Sequence, residues 1–186
     1  MSCYFITHPE VVIDPSVPIE QWGLSDAGWA RARLLSHLLR SEVDDIVSSA
    51  EVKAHETAEI VAQALGLGVR VDPALGEIDR SATGYLPPHE FELTVDAFFA
   101  NPHLPERGWE RAIDAQARVE RAVRANLAAD RDDRIAFIGH GGVGALLLAS
   151  LSSRPISRGL DQPGLGSYFT FEARAWQATG EWHRIE

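Results

Sequence analysis

The chain has 186 residues, of which 45% are hydrophobic and 24% charged, and a formal net charge of −10. This length and composition predict one globular domain, residues 1–186, with a substantial buried core. The acidic balance argues against nucleic acid or an anionic membrane as a partner, because both repel a negative surface, whereas a local cationic pocket still permits a small anionic substrate.

The chain carries one cysteine, Cys3, so no internal disulfide is possible and a reducing compartment is favoured. The N-terminal segment lacks the basic region and apolar run of a secretory signal. No stretch approaches the ~18 apolar residues of a membrane span. We therefore expect a cytoplasmic protein without a membrane partner.

In the first half of the chain, apolar runs alternate with helical patterns. The first run ends abruptly at Thr7, so a strand delivers His8 to its own carboxyl end. The predicted elements are, in chain order, a strand over residues 2–7, a proline-rich loop over 11–23, a helix over 25–40, a buried strand over 45–48, a helix over 50–65 and an edge strand over 69–71.

The second half begins with an aperiodic stretch, residues 72–88, that is longer than most connections and so is a candidate for function. Further on, a second apolar strand ends just before His140 and is followed by glycines. The predicted elements are a helix from residue 88 to a break at 101–105, a long helix over 108–129, a strand over 134–139, a helix over 143–151, a loop over 153–166, and strands over 168–172 and 181–185 joined as a hairpin through Thr179 and Gly180.

Strands that alternate with helices predict a three-layer α/β sandwich, with a mostly parallel sheet, helices on both faces and an antiparallel edge. Ligands of such sheets bind beyond the carboxyl ends of the strands. His8 and His140 are both expected at that edge, where they can meet in one site.

Four segments offer chemistry, and each also has a purely structural interpretation. A neutral His8 is a good nucleophile for phosphorus if its second ring nitrogen is hydrogen-bonded, but it is equally a histidine at a strand end. Gly141, after His140, allows close approach of a ligand at a helix start that favours an anion, or simply permits a tight turn. Lys53 lies in the first turn of a helix, as an anion ligand or a surface lysine. Glu77 in the aperiodic loop is a general acid if buried, or a solvated loop carboxylate.

The order of these segments resembles the histidine phosphatase superfamily, the phosphoglycerate mutase-like enzymes. The resemblance covers nearly the whole chain. The matching segments are Thr7–Glu10 for Arg-His-Gly-Glu, Leu24–Ala32 for the first helix start, Ser48–Ala58 for Ser-Ser-x-x-x-Arg-Ala-x-x-Thr-Ala, Glu77 in its loop, Gly108–Glu110 with Arg118–Val119, and Gly139–Gly142 for the second histidine element.

The resemblance implies the phosphoglycerate mutase-like fold and hydrolysis of a phosphomonoester through a phosphohistidine on His8, without a metal or other cofactor. It also implies that His140 binds the transferring phosphoryl group and that Glu77 protonates the leaving alcohol. Thr7, Lys53 and Gly141 would contact the phosphate. The expected ligand is a small phosphorylated substrate or inorganic phosphate.

Four positions depart from the family pattern: Thr7 and Lys53 replace arginines, Pro9 replaces glycine, and Asp14 stands where asparagine is common. Each change weakens anion binding, since lysine lacks the fork of arginine and threonine lacks the charge. The alternative is therefore a weak or inactive relative that binds an anionic ligand or a protein partner. Arg80, near Glu77, is a candidate replacement cation.

Two other classes fit poorly. An α/β-hydrolase needs a Gly-x-Ser-x-Gly elbow, which the chain lacks. A metal enzyme is disfavoured because the seven histidines include no His-x-x-x-His pair.

Overall fold

A computed structural model of the chain describes residues 2–127 and 134–186. The described strands are β1 Ser2–Thr7, β2 Asp45–Ser48, β3 Val69–Val71, β4 Ile135–Gly139, β5 Ser167–Glu172, β6 Gln177–Ala178 and β7 His183–Arg184. The described α-helices are α1 Asp26–Leu38, α2 Val52–Leu65, α3 Pro88–Ala100, α4 Ala112–Asn126 and α5 Gly141–Leu151. None of these helices has the length and apolar character needed to cross a bilayer.

All described strands belong to one mixed sheet. Strands β3, β2, β4 and β1 lie side by side in that order and run parallel. Strand β5 adds antiparallel to β1, and both β6 and β7 pair antiparallel with β5. The predicted α/β sandwich, with its mostly parallel sheet and antiparallel edge, is confirmed.

Helices cover both faces of the sheet, and the period-2 alternation of the central strands supplies both cores. On β1, Phe5 packs into one core and Ile6 into the other. Helices α1 and α2 pack over Ile6, and α3, α4 and α5 pack over Phe5. Because it is covered on both faces, β4 is buried at every residue, which explains its continuous apolar run.

The helix predicted from residue 108 begins later, at Ala112. Gly108 has a left-handed φ of 83°, which ends any helical path there. Trp109 is buried in the core, and its indole N–H donates to the Thr83 hydroxyl at 2.9 Å. The segment before the helix is thus held by tertiary packing. The predicted end at Ala129 lies outside the described residues.

The predicted C-terminal hairpin is wrong in its connection. Strand β5 turns through residues 173–176 into β6, where the Trp176 N–H donates to the Ala173 carbonyl. Thr179 and Gly180 instead separate β6 from β7, which pairs with the opposite end of β5. Both short strands therefore extend the same edge of β5.

Candidate active site

The two predicted histidines meet because their strands are neighbours. In the parallel register of β1 and β4, Thr7 is level with Gly139, so the next residue of each strand leaves the sheet at the same edge. The His8 and His140 rings lie 5.3 Å apart between centroids, at 67° to one another. Both side chains are buried. The adjacent strand β2 ends here too, with Ser49 donating its N–H to the Ile138 carbonyl.

His8 is held in a defined orientation and tautomer. Its Nδ1 lies 2.8 Å from the Pro9 carbonyl oxygen, which can only accept, so Nδ1 carries the hydrogen and Nε2 keeps its lone pair. The backbone is fixed as well, since the His8 N–H donates to Gly139 and its carbonyl accepts from Gly166. Burial, and then the neighbouring His140, lower the pKa of His8 to about 3. The imidazole is therefore neutral at ordinary pH.

His140 is anchored through one ring nitrogen only. Its Nε2 lies 2.9 Å from the Ser49 hydroxyl and 3.4 Å from a Glu51 carboxylate oxygen. Its Nδ1 is buried without a hydrogen-bond partner among the residues that the structure describes. Burial lowers the pKa of His140. A buried, unpartnered ring nitrogen is costly, and a bound polar ligand would satisfy it.

Lys53 lies at the site, but its charge is already paired. The ammonium donates to the Glu51 carboxylate at 2.5 Å and to the Ile19 carbonyl at 2.8 Å. Burial alone would raise the pKa of Glu51, but the charges of His140 and Lys53 and the hydrogen bonds it accepts lower it to about 2. The predicted phosphate ligand is thus one half of a buried ion pair.

The Glu77 carboxylate lies against the first turn of α5, the place where the sequence predicts a bound anion. Its two carboxylate oxygens accept the backbone N–H groups of Gly142 and Val143, at 3.1 and 3.0 Å. A side chain at Gly142 would place its Cβ 2.7 Å from a Glu77 oxygen and 2.5 Å from Ile78, so this contact requires glycine. The carboxylate of Glu77 therefore satisfies two N–H groups of the helix start at which an anion was expected.

Two of the divergent positions, Thr7 and Asp14, do not line the cavity beside the histidines. Thr7 is fully buried, and its hydroxyl accepts from the Ser167 N–H and donates to the Gln162 side chain. It does not line the cavity described below. The Asp14 carboxylate is exposed and accepts hydrogen bonds from Ser16, so it does not add negative charge beside the histidines.

Arginine side chains supply further positive charge around the loop of Glu77. The Arg80 guanidinium lies over the rings of Phe91 and Trp109, at 5.1 and 5.6 Å from their centroids, and lines the cavity. It is close enough to contribute to the lowered pKa of His140. Arg118 pairs with Glu110 and donates to three carbonyls of residues 74–77, which fixes this loop.

His8 and His140 open onto a cavity of about 400 Å³. Of the predicted site residues, five line it, namely His8, Lys53, Glu77, His140 and Gly141. Its other walls come from the proline-rich loop, the aperiodic loop, helix α3 and the loop before β5. Within residues 2–127 and 134–186, no three His, Cys, Asp or Glu side chains are grouped to hold a metal ion.

Three further residues contact the predicted site residues and were not among them: Glu51, Ser49 and Gln162. Ser49 and Glu51 lie inside the recognised segment 48–58. Their contacts with His140 depend on the pairing of β2 with β4, which the spacing of residues along the chain does not show. Gln162 comes from a loop without periodicity. Its amide nitrogen packs against Gly141 so closely that a Cβ at Gly141 would lie 2.3 Å from it.

The sequence model of the histidine phosphatase superfamily (branch 1) matches residues 19–178, which leaves His8 outside the matched part. No curated protein matches the chain at a significant level. Among solved structures, Bacillus stearothermophilus YhfR is similar with a TM-score of 0.82 and 24% identity, over 100% of this chain and 99% of that one. A mycobacterial glucosyl-3-phosphoglycerate phosphatase, Rv2419c, solved with inorganic phosphate, gives a TM-score of 0.76 and 23% identity, over 98% and 94% of the two chains. Thermus thermophilus TTHB049 gives 0.68 and 23%, over 98% and 99%. At these identities the likenesses show a shared fold.

Proposed function

The chain belongs to the histidine phosphatase superfamily, and on that premise we propose that it hydrolyses a phosphomonoester through a phosphohistidine on His8. The observation that carries the proposal is the pair of buried rings, His8 with a free Nε2 and His140 with an unpartnered Nδ1, that line one cavity. A phosphoryl group bound in the cavity beside the two rings would meet a nucleophile in His8 and a hydrogen-bonding nitrogen in His140.

In the first step, Nε2 of His8 attacks phosphorus and the bond from phosphorus to the ester oxygen breaks. The leaving oxygen takes a proton, which we assign to the carboxyl group of Glu77 because it lines the same cavity. In the second step, water attacks the phosphohistidine, the P–N bond breaks, and Glu77 receives the proton of the water. Nδ1 of His8 keeps its hydrogen bond to the Pro9 carbonyl in both steps, which holds the reacting Nε2 in place.

Phosphoryl transfer depends mainly on positive charge around the equatorial oxygens. Lys53 provides one charge, which Glu51 offsets. Arg80 lines the cavity, and its contacts are with aromatic faces, which leave the guanidinium N–H groups available to an anion. We assign Arg80 the role that an arginine has at the position of Thr7 in the family pattern.

One observation favours the alternative, a weak or inactive relative that binds an anion. The ion pair between Lys53 and Glu51 lies beside His140, so the net charge at this corner is close to zero. A dianionic phosphate would then bind less tightly, because each charge-assisted contact contributes ~1.5–3 kcal/mol.

The deciding experiment is hydrolysis of a chromogenic aryl phosphate in the presence of EDTA, by wild type, His8→Ala and His37→Ala. His37 is an exposed histidine on α1 and serves as the matched control. The proposal expects activity in wild type and His37→Ala and none in His8→Ala. Trapping with labelled substrate should give an acid-labile phosphoryl group on wild type and His37→Ala but not on His8→Ala.

Equal hydrolysis by wild type and His8→Ala would exclude the role of His8. Absence of hydrolysis in folded wild type, together with a rise in melting temperature in vanadate, would favour the anion-binding alternative, since a ligand that binds only the folded state stabilises it.

A further inference from the structure

The cavity next to the two histidines is built mainly from apolar and aromatic side chains. We propose that the substrate is a phosphomonoester whose leaving group is apolar, of about the size of one or two aromatic rings. This inference rests on the proposed phosphatase function and adds the substrate class. A cavity of about 400 Å³ is at the lower end of the range for small-molecule sites.

The inner wall of the cavity is one face of α3. Phe91, Val95 and Phe99 line it, whereas Phe98 is fully buried in the core and does not. Val95 and Phe99 serve both the core and the cavity, since they belong to the core cluster that contains Phe98 and also line the cavity.

Other walls of the cavity present aromatic rings, and the two tryptophans among them already use their indole N–H groups. Trp22 and Tyr85 lie 6.0 Å apart between ring centroids, and both line the cavity. The Trp22 indole N–H donates to the Asp14 carbonyl, and that of Trp109 donates to Thr83. The rings therefore offer the cavity apolar surface, with no indole hydrogen left for a substrate hydroxyl.

The charge of Arg158, which also lines the cavity, is paired with carboxylates, although its Nη1 is buried without a hydrogen-bond partner among the described residues. Arg158 pairs with Glu92 at 2.7 Å, Asp96 at 3.4 Å and Asp161 at 3.3 Å. A sugar or polyol would need a free partner for each of its several hydroxyls in a wall that is mainly apolar, because an unpaired hydroxyl in a desolvated site is costly. An apolar group requires none.

The rim of the cavity is apolar as well. Ile13 is 59% exposed and Leu165 is 41% exposed, and both line the cavity. Large apolar side chains that are exposed together at the entrance of a cavity are typical of a site for an apolar ligand. By contrast, Leu93 and Leu104 are exposed elsewhere and do not line the cavity.

The test compares kcat/KM for 2-phenylethyl phosphate and glycerol 2-phosphate, whose leaving alcohols are similar in acidity but differ in polarity. We expect wild type to prefer 2-phenylethyl phosphate by at least ~10-fold, as expected for burial of one ring. Ile13→Ser should lower kcat/KM for 2-phenylethyl phosphate by about fivefold and leave glycerol 2-phosphate within about twofold. Leu93→Ser, equally exposed but outside the cavity, should change neither value.

Equal kcat/KM for both esters, or an equal loss of both in Ile13→Ser, would overturn the inference and leave the phosphatase function intact. Binding of two non-hydrolysable phosphonates separates the inference from catalysis. If neither ester is hydrolysed, tighter binding of 3-phenylpropylphosphonate than of methylphosphonate, read from tryptophan fluorescence, supports the apolar subsite. Equal binding of the two phosphonates contradicts it.

Discussion

Glu51 gives the sharpest test of the charge balance in this site, because one carboxylate supports both the fold and the divergent lysine. It accepts from the Lys53 ammonium through one oxygen and from the Glu77 N–H through the other, at 2.7 Å. We consider Glu51→Gln, which removes the charge and keeps a side chain of the same size. The change should destabilise the free protein and strengthen its binding of phosphate.

The cost in stability follows from the burial of the pair. The side chains of Lys53 and Glu51 are 4% and 12% exposed, so loss of the carboxylate charge leaves a buried ammonium uncompensated. Breaking a buried pair in this way costs ~3–5 kcal/mol. Because glutamine retains an acceptor oxygen, we expect about 3 kcal/mol, which for a chain of this length lowers the melting temperature by roughly 6–12 °C.

The gain in phosphate binding has the same origin. In wild type the ammonium is offset by a carboxylate that also lies 3.4 Å from His140. Without that negative charge, a phosphate dianion becomes the natural partner of Lys53. We expect the affinity for inorganic phosphate to rise at least ~10-fold, so that saturating phosphate adds ~1.4 kcal/mol more stabilisation than in wild type.

The assay is thermal and urea unfolding of both proteins in phosphate-free buffer and across a phosphate titration. Glu59→Gln is the control, because Glu59 lies on the same helix, is 60% exposed and has an exposed partner, His55, at 3.6 Å. It should change neither stability nor phosphate binding by a measurable amount. A Glu51→Gln protein as stable as wild type, with unchanged phosphate affinity, would refute the reasoning.

Three further predictions test other parts of the site. The pKa of His8 is lowered from 6.5 to about 3, so as the pH falls the unfolded chain binds a proton before the folded chain does. The contribution of the neutral His8 to the free energy of unfolding is therefore complete above pH 6.5 and is lost as the pH falls towards 3. Between pH 6.5 and about pH 5, the free energy of unfolding measured in urea should therefore fall by about 2 kcal/mol more for wild type than for His8→Gln. Parallel pH profiles of the two proteins would contradict a neutral His8. Thr7→Val leaves the buried Ser167 N–H without its acceptor and should cost about 1–3 kcal/mol of stability. The kcat/KM for an aryl phosphate should stay within about threefold of wild type. A large loss of activity at unchanged stability would instead make Thr7 a phosphate ligand. Gly142→Ala places a Cβ 2.7 Å from Glu77 and should cost about 1–3 kcal/mol and lower kcat, whereas Gly159→Ala, whose nearest neighbour lies 3.5 Å away, should do neither.

Much of the architecture is present in local patterns. The continuous apolar run of β4 and the alternation of β1 predict strands covered on both faces, and a residue directly after such a strand must lie at the sheet edge. This is why His8 and His140 were recognised as partners from the sequence. The order of motifs along the chain then indicated the family, which the match over residues 19–178 confirms.

The errors arose where distant contacts override local pattern. Helix α4 begins at Ala112 because Trp109 packs in the core, hydrogen-bonded to Thr83 and in contact with aromatic neighbours. The helical periodicity of the sequence does not show such a contact. The C-terminal turn was misplaced because β6 and β7 each pair with β5, a choice that depends on which edge of the sheet is open.

The sequence by itself determined the fold class and the residue types at the site: two histidines at strand ends, a lysine and a carboxylate. Only the tertiary structure decided what these groups do to one another. Glu51 is two residues from Lys53, but it meets His140 and the Glu77 backbone only because β2, β4 and the aperiodic loop converge at one edge. Charge pairing and burial depend on distances in space, which the spacing of residues along the chain does not specify.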